Sequence, residues 1–130
     1  MVKKMSESLK PSKQRKKLKE SPLHRKKSVL NAHLSKELRK ELLGKRSLQV
    51  RVGDKTKIMK GKFKKIEGKI TKVNHKKGFV FIEKITRKKS DGTEVFIPIR
   101  ASNLMLIELE RKDERRLKFL SKKKKEGSES

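Results

Sequence analysis

Five lysines crowd a ten-residue stretch in the middle of the chain: Lys60, Lys62, Lys64, Lys65 and Lys69. Ammonium groups at this density repel one another, and contact with phosphates relieves that repulsion while releasing counterions, which favours binding. The stretch therefore predicts contact with a phosphate-rich polyanion, and the alternative is an ordinary solvated surface. Phe63, in the same stretch, either stacks on a base or sugar or plugs the open end of a small barrel.

Two further basic groups and two single arginines are candidates for the same role. The N-terminal group consists of Lys13, Arg15, Lys16, Lys17, His24, Arg25, Lys26 and Lys27. The second group lies beside a predicted turn and consists of Arg87, Lys88 and Lys89. The single arginines are Arg51 and Arg100.

Positive charge extends over the whole chain. With 41 Lys+Arg against 15 Asp+Glu in 130 residues, the formal net charge is +26. Residues 1–47 carry +12, residues 48–108 carry +10 and residues 109–130 carry +4. A localisation signal or a single basic tail would leave the folded part near neutral, so we expect the folded part itself to bind a polyanion.

The sequence gives little support for a metal or cofactor site, for acid–base catalysis or for a platform on which bases stack. The chain has no cysteine, and its histidines, His24, His33 and His75, are not at metal-ligand spacing, so we expect neither a metal site nor a cofactor. The acidic residues at predicted turns and strand ends are expected to pair with nearby lysines rather than to act as an acid and a base: Asp54, Glu67 and Glu83. An aromatic content of 4% with no Trp or Tyr disfavours a stacking platform for single strands.

No apolar segment has the length of a membrane span. The longest apolar runs are residues 79–82 and 104–107, whereas a spanning helix needs roughly 18 to 20 residues. The basic N-terminus has no apolar stretch behind it and does not resemble a secretory signal. We therefore expect no membrane insertion, and the absence of cysteine is compatible with a reducing compartment.

Residues 1–47 are predicted to form a basic, partly helical extension. Pro11 and Pro22 each stand where a helix favours its first residue, with Ser21 as a cap before Pro22. A third helix follows Ser35, with Leu34, Leu38 and Leu42 on one face and Gly44 at its end. These pieces have too few apolar residues for a core of their own, so their order must come from the folded domain or from a partner.

Residues 48–109 are predicted to form a small barrel of about five short strands. Apolar residues alternate with basic ones in these strands. Four glycines that separate the strands are expected to have structural roles: Gly53, Gly61, Gly68 and Gly92. The segments flanking Gly53 are predicted to pair as two strands. Asp91 and Gly92 give the strongest turn in the chain, and Pro98 marks an edge strand or a bulge.

Residues 110–130 are predicted to form a short charged helix capped near Asp113, followed by a basic, disordered tail.

The segments 52–54, 58–62, 66–70 and 80–83 resemble the KOW motif, a strand-loop-strand unit of SH3-like barrels in ribosomal and transcription-elongation proteins. Beyond that motif, residues 10–16, 22–24, 34–39, 86–95 and 101–105 are similar, in the same order, to the archaeal and eukaryotic form of large-subunit ribosomal protein twenty-four. This resemblance runs from about Leu9 to Leu120. The family commonly has glycine where this chain has Lys65 and Lys84, so the sequence departs from the family pattern in the loop after Gly61 and at the bend after the strand that begins at Phe79.

The resemblance implies a structural role rather than a reaction. Members of the family bind large-subunit rRNA early in assembly, close to the nascent-chain exit, beside other ribosomal proteins. The resemblance therefore implies that the protein is located in the cytoplasm, as part of the large subunit. It also implies that the protein is not an isolated homo-oligomer. Two alternatives stay open: a KOW protein of transcription elongation or an RNA chaperone outside the ribosome, and an RNA-modifying enzyme. The first would normally add an acidic domain, and the second needs a cofactor loop or a polar catalytic cluster; neither feature is found in the sequence.

Overall fold

The computed structural model describes residues 8–42, 44–112 and 116. Within these residues the helices are α1 (Pro11–Glu20), α2 (Leu23–Lys26) and α3 (Lys36–Glu41), with short 3-10 helices at Lys27–Leu30 and Ala101–Asn103. The strands are β1 (Asn31–Leu34), β2 (Ser47–Gln49), β3 (Lys55–Ile58), β4 (Glu67–Asn74), β5 (Phe79–Ile82), β6 (Thr86–Lys88), β7 (Glu94–Phe96), β8 (Ile99–Arg100) and β9 (Leu104–Glu108). The prediction of a small, mainly β domain with short helices is confirmed.

Seven strands form one sheet in the order β2-β1-β9-β3-β4-β5-β8, and β6 and β7 form a separate hairpin. Neighbouring strands are antiparallel except for β1 and β9, which are parallel. The two end strands, β2 and β8, share no ladder in the part of the chain that the structure describes. Among the same residues, no helix is long and apolar enough to cross a membrane.

Strand β1 is an element that the sequence pattern did not reveal. It lies between β2 and β9, where Ala32 faces Leu48 and Leu34 faces Leu106 in register. Ala32 and Leu34 are both 1% exposed, whereas the two residues that alternate with them are exposed. Residues 31–34 therefore take their order from the sheet, which is one of the two sources expected for the N-terminal segment. A domain boundary at residue 47 stays a prediction.

The expected pairing of the two strands around Gly53 is wrong. β2 pairs with β1, and β3 lies between β9 and β4. The reason lies in the turn between them: the backbone N–H of Val50 donates to the Leu30 carbonyl (3.0 Å), so the chain is still bonded to the N-terminal segment when it enters the turn. Gly53, at φ 94°, then redirects the chain toward β4, and its N–H donates to the Ile70 carbonyl (2.9 Å).

The predicted start of the third helix is confirmed, and that of the second is corrected. The Ser35 side chain accepts a hydrogen bond from the backbone N–H of Leu38 (3.3 Å), which caps α3. Ser21 does not cap α2, because its hydroxyl donates instead to the Leu18 carbonyl (2.8 Å) at the end of α1. Pro22 itself occupies the N-cap position of α2.

The hydrophobic core combines the sheet with the N-terminal segment. Its buried side chains are Leu30, Ala32, Leu34, Leu38, Leu48, Val50, Ile58, Ile70, Val80, Ile82, Ile85, Ile99, Ala101, Leu104 and Leu106. Four of these precede residue 47, so part of the basic extension belongs to the core. The predicted helix capped near Asp113 and the basic tail lie outside the described residues, except for Arg116.

Gly68 is required for a reason other than the one its position suggests. A residue that ends a loop and begins a strand is expected to need an unusual backbone conformation, but the φ of Gly68 is not positive. A Cβ at this position would lie 2.7 Å from Cγ2 of Ile82 and 3.0 Å from the Glu83 carbonyl oxygen. The close approach of β5, rather than backbone strain, therefore excludes a side chain here.

Candidate nucleic-acid interface

The loop between β3 and β4 is held in a defined shape by its own backbone. Ile58 donates its N–H to the Ile66 carbonyl (3.0 Å), and its carbonyl accepts the N–H of Lys65 (2.8 Å). These two bonds close the loop at its base. Gly61 and Lys65 both have positive φ values, 97° and 74°, which allows the chain to reverse within a few residues.

The lysines of this loop point to solvent. Lys60, Lys62, Lys64 and Lys65 are exposed, and none of them forms an ion pair with any residue that the structure describes. Phe63 is partly buried and packs against the hydrophobic core. This packing fixes the centre of the loop while the lysines around it stay accessible, and a contact of Phe63 with a base or sugar stays a prediction.

The acids near these lysines are already engaged by other cations. Glu67 pairs with Lys57 and Glu108 pairs with Lys55, each at 3.0 Å. The hydrogen bond that Lys55 donates to Glu108, and then the negative charge of that carboxylate, raise the pKa of Lys55. These pairs leave the loop lysines uncompensated, and Lys69, which faces Lys55 across the β3–β4 ladder, extends the cationic stretch along β4.

Asp54 does not pair with a lysine, as the sequence had suggested, but with Arg116. It is 0% exposed, and its two carboxylate oxygens accept hydrogen bonds of 2.8 Å from the two terminal guanidinium nitrogens of Arg116. The same oxygens accept the backbone N–H groups of Arg51 (2.8 Å) and Glu110 (2.9 Å). This carboxylate therefore has a structural role and is not available as a catalytic base.

The second predicted basic group lies on the hairpin β6–β7. In its register Arg87 faces Val95 and Lys88 faces Glu94. The turn is closed by the Lys89 N–H on the Thr93 carbonyl (2.9 Å), and Gly92 has a φ of 77°, which confirms the predicted turn. All three basic side chains are exposed, and Val95 and Phe96 beside them are 41% and 44% exposed.

A third basic surface joins the N-terminal helices to the β4–β5 turn. A cleft of about 300 Å³ is lined by Arg15, Leu18, Lys19, Lys26, Val29, His75, Lys76, Lys77, Gly78 and Phe79. We call it the helix–turn cleft. Arg15 and Lys26 were predicted from the sequence as binding residues, whereas Lys19, Lys76 and Lys77 were not. The run of three basic residues at 75–77, directly before Gly78, is the signal that would have identified the turn.

The predicted site residues therefore form separate groups. Lys13, Lys16 and Lys17 are exposed on α1, and His24 and Arg25 are exposed on α2, followed by Lys27. Arg51 lines a second cavity with Val52, Glu110, Lys112 and Arg116. The Arg100 guanidinium lies 5.9 Å from the centroid of the Phe79 ring, across the β5–β8 ladder. Within the described residues, no group of three or more potential metal ligands is present.

Residues 8–123 match the model of a protein family described as the ribosomal proteins L26 of eukaryotes and L24 of archaea. The chain belongs to this family. The match spans the β sheet, the N-terminal helices and the basic loops together, so the assignment covers the surfaces described above and not the KOW segment alone. The protein is thus a ribosomal protein of the large subunit, in a family whose members are RNA-binding and typically structural.

The two positions at which the resemblance led us to expect glycine share one backbone feature. Lys65 and Lys84, which occupy them, are the two non-glycine residues with positive φ among those described, at 74° and 68°. The backbone shape that glycine favours is therefore retained here with lysine side chains. At position 65 the lysine side chain adds a cation to the β3–β4 loop, and its left-handed backbone conformation causes local strain.

Proposed function

We propose that this protein is a structural constituent of the large ribosomal subunit that binds large-subunit rRNA through phosphate and shape recognition. It supports early assembly of the subunit near the nascent-chain exit and contacts neighbouring ribosomal proteins there. Its place of action is the cytoplasmic ribosome. The family assignment supports the ribosomal setting, and the surface chemistry supports the mode of RNA contact.

One observation carries the proposal for rRNA contact: the exposed cations of the β3–β4 loop are not compensated within the described chain. Glu20, Glu67 and Glu108 already pair with Lys16, Lys57 and Lys55, and Asp54 is buried against Arg116. A folded surface with accessible lysines and few accessible acids attracts phosphate, because each neutralised phosphate releases condensed counterions. Since A-form RNA is recognised mostly through its shape and backbone, such a surface needs few aromatic residues.

Sedimentation of the tagged protein in a cell extract tests the proposal. We expect the protein to sediment with large subunits and their precursors in low-magnesium gradients, in which the two subunits separate. Sedimentation with RNA polymerase, or only with free RNA at the top of the gradient, would instead support an elongation factor or an RNA chaperone. A tagged ribosomal protein of the small subunit serves as the control for subunit separation.

A further inference from the structure

The helix–turn cleft is lined by cationic side chains, which we call its rim, and by apolar side chains, which we call its floor. Arg15 and Lys19 of α1 lie on one side, and Lys76 and Lys77 of the β4–β5 turn lie on the other. The residues that line the cleft include no acidic side chain. Its floor is formed by Leu18, Val29 and Phe79.

Direct contacts join the turn to the segment that follows α2. A Cβ on Gly78 would lie 2.8 Å from Cγ1 of Val29, so the turn and the N-terminal segment meet closely at that point. The Asn74 side chain accepts the N–H of Lys77 (3.1 Å), and the Asn74 carbonyl accepts the N–H of Gly78 (2.9 Å), which shapes the turn. On the other side, the Lys26 ammonium donates to the Lys19 carbonyl at the end of α1 (3.0 Å).

Packing into the hydrophobic core does not account for Leu18 in this floor. Leu18 is 45% exposed on a helix that has no buried residue, and it is not a member of the hydrophobic core. A surface that binds only the phosphates of a duplex needs the cationic rim but gains nothing from an apolar floor. A base that is stacked within a duplex does not offer its face to such a floor, whereas an unpaired base does.

We propose that the helix–turn cleft binds one unpaired nucleotide of RNA, with its base or ribose on Leu18, Val29 and Phe79 and its flanking phosphates on Arg15, Lys19, Lys76 and Lys77. The cationic rim complements RNA and an acidic peptide alike, but the floor suits a planar, neutral ring with a charge on each side of it, which favours RNA. Arg100, beside Phe79, adds a cation next to the aromatic member of the floor. This inference rests on the proposed function, since it takes RNA as the partner.

The test compares two hairpin RNAs that are identical except for a single unpaired uridine in one stem. The full chain is titrated with each RNA at the same salt concentration, and the dissociation constants are measured by fluorescence anisotropy. We expect the bulged hairpin to bind about tenfold more tightly, as one stacked base provides. With 4-thiouridine as the unpaired base, we expect photocrosslinks to peptides that contain residues 15–29 or 75–79.

Two variants separate the floor from the rim. Leu18→Ala should remove most of the preference for the bulged hairpin without changing the affinity for the paired one, and alanine keeps α1 helical. Lys76→Ala with Lys77→Ala should weaken binding to both hairpins, and more strongly for the bulged one. Leu23→Ala is the matched control, because Leu23 is a leucine that is 56% exposed and does not line the cleft.

Equal affinity of the full chain for the two hairpins, or equal loss of preference in Leu18→Ala and Leu23→Ala, would overturn the proposal. Tighter binding of polyglutamate than of the bulged hairpin would overturn it in favour of an acidic peptide. If the protein sediments with large subunits but shows no preference for the bulge, only this inference fails. If the preference is present but the protein does not sediment with large subunits, only the proposed function fails.

Discussion

The guanidinium of Arg116 and the carboxylate of Asp54 form a two-point ion pair inside the protein, with both nitrogen–oxygen distances at 2.8 Å. Their side chains are 6% and 0% exposed, and 62 positions separate them in the chain. Arg116 also donates to the carbonyls of Gln49 (3.2 Å) and Glu110 (3.3 Å). A single arginine thus connects the turn before β3 to the chain that follows β9.

Removing Arg116 should destabilise the protein strongly. Arg116→Met leaves the Asp54 carboxylate buried without its cation, and breaking a buried pair costs about 3–5 kcal/mol. The free energy of unfolding, measured in urea, checks this. Arg111→Met, at an exposed arginine of the same segment, is the matched control and should change stability little. A decrease for Arg116→Met no larger than that of the control would show that the pair does not stabilise the fold.

Gly68→Ala should also destabilise the protein, through a steric clash. The new methyl group would overlap Ile82 and the Glu83 carbonyl, and overpacking of this kind costs about 1–3 kcal/mol. Gly92→Asn tests the other kind of glycine, since its φ is 77°, nothing lies within 4 Å of its Cβ position, and asparagine tolerates that conformation. We expect thermal unfolding to show a clear loss of stability for Gly68→Ala and a small one for Gly92→Asn. The reverse order would contradict the close approach of β5.

Lys84→Gly should stabilise the fold. A left-handed conformation costs an L-residue about 1–2 kcal/mol, and the extra chain entropy of glycine offsets about 0.5–1 kcal/mol of the gain. The net expectation is a rise in the free energy of unfolding of up to about 1.5 kcal/mol, again measured in urea. Lys64→Gly is the control, because Lys64 is not among the residues with positive φ and should lose stability. A decrease in both variants would show that Lys84 carries no strain.

The affinity for rRNA should fall steeply with salt, and the β3–β4 loop should contribute to that slope. Lys62→Ala with Lys64→Ala should reduce the log–log slope by about 0.7–0.9 for each phosphate that is no longer neutralised. Lys65 is left unchanged, so that the left-handed backbone at this position (φ 74°) stays as it is. Filter binding to a large-subunit rRNA fragment measures the slope, and Lys36→Ala with Lys40→Ala, two exposed lysines of α3, is the charge-matched control. An identical slope in the two double variants would make the loop an ordinary solvated surface.

Amide hydrogen exchange in the free protein should differ on the two sides of Leu30, with fast exchange in α1 and slow exchange at Leu34 and Ser35. The Leu34 and Ser35 amides bond to the carbonyls of Arg46 (3.2 Å) and Leu106 (2.9 Å) within the sheet, so we expect slow exchange in the free protein. Helix α1 has no buried residue and should exchange fast until rRNA neutralises its lysines. Mass spectrometry of free and subunit-bound protein measures both. Strong protection of α1 in the free state would show that this helix is stable without RNA.

Much of the fold was predictable because it depends on neighbours in sequence. Ser35 caps α3 within three residues, Asp91 and Gly92 set a hairpin turn, alternation marks β4, and continuous apolar runs mark β5 and β9. β1 was missed because its four residues are too few for a pattern and the strand exists only by pairing with distant partners. The pairing of β2 with β1 was missed for the same reason, since adjacency in sequence favours a hairpin that the Gly53 turn does not make.

For the candidate site, charge and composition were enough to predict the kind of partner, because both are summed over the chain and do not depend on how it folds. The basic loop after Gly61 and the hairpin beside Gly92 were also located from the sequence, since both are local. Only the folded structure shows that Lys76 and Lys77 line one cleft with residues of α1 and that Asp54 pairs with Arg116. Those relationships depend on where distant strands and helices pack, and no pattern among neighbouring residues records which distant segments will meet.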